Sequence, residues 1–435
     1  MKSTLAVAVG ALALAACGSM AGDDSTQPSA GTSGGSSGSG GSSNTTGPGT
    51  GGTTGGSGGS STTGTGGGAV DSGAGCTPAA ALICNPMIPT LPNSIKDTGI
   101  FTALPDLSKH HERAHLFEPN PPLWSDGLSK ERLLILPPGA VIDNSDSKKW
   151  KFPMGTVFVK NFFDDGGPNK TRRPIETRFI RHLADPNDPF VQWQFAVYKW
   201  NADGTDATLI DFSDAMKTTP VQVVVDRMEG GGVLRINNGM PFTHTIPSKQ
   251  NCGECHDNNA KLTDADIIGF DELRLNWKLP GAATTQLQAL HDAKLLSTMP
   301  AQPITIVEPN PVLARVKTWV QGNCVHCHNG AEGMLDLRPD GFVANTVNKM
   351  TQGSGIMPPS GWLRVVPKKP EMSVLYVQAR RAPLPTGPTV QMRPMPPVGV
   401  EVADMNRVAP LPTGTMLSQV PTDPIADIAT WINSL

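Results

Sequence analysis

Beyond its first fourteen residues the chain has no apolar run of the roughly 20 residues that a membrane-spanning helix needs. Any membrane attachment therefore has to come from the N-terminal segment. An excess of either charge is also missing, since 35 Lys and Arg stand against 38 Asp and Glu. So close a balance speaks against nucleic acid or an anionic membrane surface as the main partner. Tyrosine occurs only twice, whereas there are 47 glycines and 40 prolines. Both of the frequent residues weaken helix interiors, so the composition favours short strands and ordered loops over a helical bundle. No Ser/His/Asp constellation and no phosphate-cradling glycine loop can be picked out, and no βαβ repeat is visible.

What is present begins with Met1-Lys2-Ser3-Thr4, an apolar stretch from Leu5 to Leu14, and then Ala15-Ala16-Cys17-Gly18. A short positive start, a brief apolar segment and small residues before a cleavage point predict an export signal over residues 1–16. The placement of Cys17 resembles a lipobox, which implies lipid on that cysteine. Gly18, in place of Asp, implies sorting to the outer membrane. Residues 22–75 are almost all Gly, Ser and Thr. Such a stretch buries too little apolar surface to offset its ordering entropy, so residues 17–75 read as a lipidated cysteine on a flexible tether. Its r.m.s. span would be about 40 Å and its extended reach about 170 Å. The remainder is long enough for two or three compact units.

The seven cysteines divide without remainder. Cys17 takes lipid, and Cys76 with Cys84 form a pair that an oxidising compartment would bridge, closing a small loop. The other four lie in Cys252-Gly253-Glu254-Cys255-His256 and Cys324-Val325-His326-Cys327-His328. In C-x-x-C-H two thiols add to the two vinyl groups on one porphyrin edge. The next residue then lies under the ring, where its imidazole can ligate iron. Zinc, a redox dithiol or a structural disulfide are the competing readings. Export, the adjacent histidine and the repetition favour two covalently attached c-type haems, with His256 and His328 as proximal ligands.

Short apolar runs bounded by turn formers occupy residues 88–246, as in Arg132–Leu136, Thr156–Phe163, Glu176–His182, Phe190–Trp200, Val221–Val225 and Val233–Ile236. They predict a β-sandwich-like domain over 76–247. Helical spacing in Asp264–Leu275 and Thr285–Leu296, with Thr263, Asp264, Thr284 and Thr285 as candidate caps, predicts a first haem-binding helical unit over 248–303. Val312–Gln321 and Pro424–Leu435 predict two further helices within 304–435. The expected class is thus multidomain α+β, a β-rich domain followed by mainly helical haem-binding units.

A helix leading into C-x-x-C-H, a later Met392-Arg393-Pro394-Met395-Pro396 segment and a C-terminal helix resemble class I cytochrome c. That resemblance covers residues 304–435 and implies Met395 as the distal ligand of the second haem, with Met357 as its rival. A wider resemblance, to exported dihaem proteins without a settled activity, rests on Pro122-Leu123-Trp124-Ser125-Asp126-Gly127, Trp150-Lys151-Phe152-Pro153-Met154-Gly155-Thr156, Glu176-Thr177-Arg178, Ile246-Pro247-Ser248, Gly322-Asn323-Cys324 and Pro370-Glu371-Met372-Ser373-Val374-Leu375. It supports the architecture and the haem count more than a function.

The sixth position of the first haem stays open among His291, Met299, His244, Met240 and His182. Arg172, Arg173, Glu176 and Arg178 are candidates to hold a propionate or to pair as surface charges. His110, His111 and His115, with Glu112 and Glu118, read as a solvated loop rather than a metal site. Three functions follow as expectations. The first is a lipid-tethered carrier of single electrons between redox partner proteins, in the periplasm or at the cell surface. The second is a dihaem enzyme, peroxidase- or oxygenase-like, with an open first haem. The third is a binding module with a redox passenger.

Overall fold

The computed structural model describes residue 76 and residues 81–435, except 148, 166–171, 184–192, 230–231, 257–266, 331–334, 352–356, 381–383, 388, 396–406 and 409–423. Cys17, the export signal, the tether up to residue 75, and Thr263 and Asp264 lie outside the described residues.

Alternating β-branched and aromatic residues form six strands: β1 (Ala114–Phe117), β2 (Ser129–Ile135), β3 (Val157–Asp164), β4 (Arg173–His182), β5 (Trp193–Trp200) and β6 (Ala207–Leu209). They pair antiparallel in chain order, as a meander. Two small ladders follow. β7 (Thr219–Val223) pairs with β10 (Phe242–Ile246), while β9 (Gly232–Arg235) lies between β8 (Asp226–Glu229) and β11 (Arg407–Val408). The helices are α1 (Lys249–His256), α2 (Glu272–Leu275), α3 (Gln286–Asp292), α4 (Pro311–Asn323), α5 (Phe342–Thr346), α6 (Val374–Arg380) and α7 (Pro424–Ser434). The architecture is mixed α+β around a six-stranded antiparallel sheet.

Both faces of that sheet are covered, which explains why β3 reads as a nearly continuous apolar run rather than an alternating one. On one face Leu133, Val157, Val159, Phe179 and Tyr198 pack under the segment carrying Leu82, Ile83, Ile95 and Ile100. Cys76 and Cys84, 5.6 Å apart at Cα, are bridged where this segment begins. On the other face Leu134, Phe158 and Trp193 meet Phe270, Leu275, Leu287 and Leu290. Toward one end of the sheet, Phe162 and Ile175 pack on Val223 and Phe242 of the small ladder. A second sheet therefore opposes the first only in part. Elsewhere the covering layer comes from residues 267–299, the stretch expected to form a helical unit of its own.

That stretch also holds less helix than its apolar spacing predicts. Gly269 has a φ of +98°, a left-handed conformation that a helix over Asp264–Leu275 does not permit. Helix α2 starts only at Glu272, after the Asp271 side chain accepts a hydrogen bond from the Arg274 N–H at 2.9 Å. Thr285 caps α3 as expected, and Lys294, at φ 59°, follows the point where that helix ends.

Helix α4 begins with Asn310 accepting from the N–H groups of Val312 and Leu313, with Pro311 in the first turn. Its Val316, Trp319 and Val320 pack on Ile428, Trp431 and Ile432 of α7. Arg315 donates two hydrogen bonds to Asp427, at 2.9 and 2.6 Å, which locks the two helices in register. The C-terminal part touches the sheet part through α4. The Trp124 N–H donates to Asn323 Oδ1 at 2.8 Å, and a Cβ on Gly322 would lie 2.6 Å from Pro121 Cγ. Gly322→Ala should therefore cost about 1–3 kcal/mol through overpacking. Urea unfolding checks this, and a variant as stable as the parent would show that Pro121 moves aside freely.

Candidate functional site

The two C-x-x-C-H segments are held in different ways. The first ends α1, where Ser248 begins the helix by accepting from the N–H of Cys252 through its carbonyl and from that of Asn251 through its hydroxyl. The His256 ring lies 5.6 Å from the ring of Phe195 on β5. Phe195 stands opposite Ile180, on the sheet face that also carries Phe158 and Arg178. The second segment follows the last turn of α4. It folds back on itself, with the N–H groups of Cys327 and His328 both donating to the carbonyl of Cys324.

None of Cys252, Cys255, Cys324 and Cys327 is in a disulfide, although Cys76 and Cys84 are bridged. Burial pushes the Cys252 thiol up to about 11, against the pull of Arg178. Burial, with Cys327 beside it, pushes Cys324 up to about 12. A redox dithiol needs the opposite, a thiolate stabilised by its surroundings. Among the described residues no three His, Cys, Asp or Glu side chains converge as a metal-binding group.

His328 is largely buried and its Nδ1 has no hydrogen-bond partner. Burial, then the charges of Arg393 and Arg364, hold its pKa below the usual value, so the ring is neutral and can act as a ligand. Burial likewise brings His326 down to about 4, with Arg274, His256 and His328 adding to the effect. His326, expected to be a spacer on the solvent side, is in fact buried. It lies within electrostatic reach of His256 as well as of its own neighbour His328.

The Met395 segment approaches the same motif. The Met395 N–H donates to the Gln378 carbonyl at 3.1 Å, and Gln378 Nε2 donates to the Arg393 carbonyl at 3.0 Å. Arg393 is one of the two arginines that His328 feels. Met395 is half-buried, whereas its rival Met357 is 50% exposed, paired through its backbone with Gln391.

The candidates for the sixth position of the first motif lie in different parts of the fold. Both ring nitrogens of His244 are engaged, and Met240 is 62% exposed. His182 stacks on Trp193 with its Nδ1 at 3.0 Å from the Pro153 carbonyl oxygen. Met299 packs against the apolar layer over the sheet, and His291 lies on α3 with a buried, unbonded Nδ1. The rings of His110 and His111 are held in a local turn, His110 Nδ1 3.3 Å from the His111 carbonyl oxygen and His111 Nδ1 accepting from the Arg113 N–H at 3.2 Å.

Of the four propionate candidates, two are turned elsewhere. Arg172 pairs with Glu131 and Asp165, and Arg173 pairs with Asp164. Arg178 and Glu176 do lie on the face near the first motif, bonded to each other. They belong to a buried network. His244, 2% exposed, sits between Asp126 Oδ2 at 2.7 Å and Glu176 Oε1 at 2.9 Å. Beside it Arg132, Lys160 and Arg178 stand opposite one another on β2, β3 and β4, forming a row of cations across the sheet. The one legible hint of that row is a lysine at the centre of the apolar strand Val157–Phe163. No protein-family model, curated protein or solved structure matches this chain.

Proposed function

We propose that the chain is a membrane-tethered dihaem c-type cytochrome that carries single electrons between redox partner proteins. Lipid on Cys17 would hold it at the outer membrane, in the periplasm or at the cell surface. What supports this reading is the pair of C-x-x-C-H segments, with all four of their cysteines outside any disulfide and the His328 ring held neutral. Bound haem supplies one-electron chemistry, and the protein's part is attachment, orientation, exclusion of water and tuning of potential. Cys252, Cys255, Cys324 and Cys327 would form the thioethers. His256 and His328 would supply the proximal nitrogens, and Met395 the thioether ligand that closes the second iron and raises its potential.

A second reading is favoured by one observation. His244 is engaged on both nitrogens and Met240 is 62% exposed, which withdraws two of the five candidates for the first iron's sixth ligand. A dihaem oxidoreductase would use a sixth position left open. The discriminating measurement is the optical spectrum of the dithionite-reduced mature protein with and without carbon monoxide. Electron transfer predicts low-spin spectra that carbon monoxide leaves unchanged. A shift of about half the haem would move the conclusion to an enzyme whose working iron is the one at His256.

A further inference from the structure

Arg132 is 5% exposed and Lys160 half-buried, and among the described residues neither makes a hydrogen bond or ion pair. Lys160 has only the ring of Phe162 beneath it, at 4.8 Å. Arg178 is bonded to Glu176, which it shares with His244. Asp126 and Glu176 are thus already committed to His244 and Arg178, and Arg132 feels the charge of Glu118. Cations side by side in one row repel, and an anion bound between them would relieve that repulsion.

The row has a direction. His256 lies over β5, Cys252 is within electrostatic reach of Arg178 on β4, and Lys160 and Arg132 follow on β3 and β2. Two strand spacings, about 10 Å, separate Arg178 from Arg132. In a c-type haem the thioethers hold one porphyrin edge and the two propionates project from the opposite one. A haem attached at Cys252 and laid along this face would point its carboxylates toward Lys160 and Arg132.

We propose that Arg132 and Lys160, with Arg178 beside them, form a carboxylate-binding row that holds the propionates of the haem attached at Cys252 and Cys255. The assignment rests on the dihaem reading above. The row neutralises the carboxylates and so favours the reduced iron, which carries one positive charge fewer.

The test uses the full, haem-loaded chain in four forms: parent, Lys160→Met, Arg132→Met and the charge-conserving Lys160→Arg. Haem content by pyridine haemochromogen comes first, since a parent without two haems overturns the dihaem reading itself. With two haems present, spectroelectrochemical titration should show one haem losing tenfold or more in its reduction equilibrium in each methionine variant. For a one-electron couple that is 59 mV or more toward negative potential. The other haem should stay within twofold, and Lys160→Arg should track the parent. Should one methionine variant fail to fold, the other carries the test. Potentials within twofold of the parent in a folded, two-haem methionine variant overturn the proposal. The row then binds a free carboxylate if malonate produces a saturable spectral shift in the parent that the methionine variants lose.

Discussion

Replacing Cys252 and Cys255 together by alanine should halve the covalent haem, from two groups per chain to one, in a protein that still folds. The half-buried Cys252 and Cys255 belong to none of the apolar clusters, and α1 touches the sheet chiefly through β5. Removing two sulfur atoms there takes little from the core. The reciprocal pair behaves differently, because Cys324 packs against the cluster of α4 and α7 and Val325 is part of it. Cys324→Ala with Cys327→Ala should lose the other haem and also loosen α4 against α7, at a cost of about 1–3 kcal/mol. Intact mass after heterologous haem c maturation counts the groups, and urea unfolding separates the two variants. Two haems still counted in the first variant would remove haem from α1. Loss of both groups would mean that the second segment cannot be loaded until the first is.

The asymmetry was not legible in the sequence, where the two motifs look alike. What could be read was local. The Cys76–Cys84 loop spans 8 residues, the Thr285 cap of α3 and the apolar stripe of α4 each lie within one segment, and the strands of the main sheet announce themselves by composition. What could not be read was pairing at a distance. Asp126 and His244 are 118 residues apart and Glu176 and His244 are 68 apart, so no window contains the network. The same limit misdirected the search for propionate partners. Arg172, Arg173 and Arg178 are indistinguishable as a basic cluster until Glu131, Asp164 and Asp165 are seen to take the first two. Nor does strand patterning reveal what lies on the far side of a sheet. Phe270 and Leu287 complete a layer that alternation alone assigns to a second sheet.

The same distant pairing makes stability depend on pH in both directions. Burial opposes charge on His244, but its bonds to Asp126 and Glu176 prevail and raise its pKa to about 9. Burial likewise opposes charge on Glu176, yet Arg178 and His244 bring it down to about 2. A raised histidine stabilises fully below its unfolded value, near 6.5, and that stability is lost as pH climbs through 9. A lowered carboxylate stabilises above its unfolded value, near 4.5, and that stability is lost as pH falls toward 2. The network should therefore contribute most between about pH 4.5 and 6.5 and lose up to ~3 kcal/mol on either side. That figure is a ceiling, because both shifts contain the one attraction between His244 and Glu176. His244→Leu removes the cation and leaves Asp126 and Glu176 facing each other in the core, which should cost about 3–5 kcal/mol at pH 6. It should also flatten the loss between pH 6.5 and 9, since the group that titrates there is gone. Urea unfolding of parent and variant across that range reads both effects. A variant that keeps the parent's slope would assign the alkaline loss to another group, and the network would then be held by geometry rather than by the charge of His244.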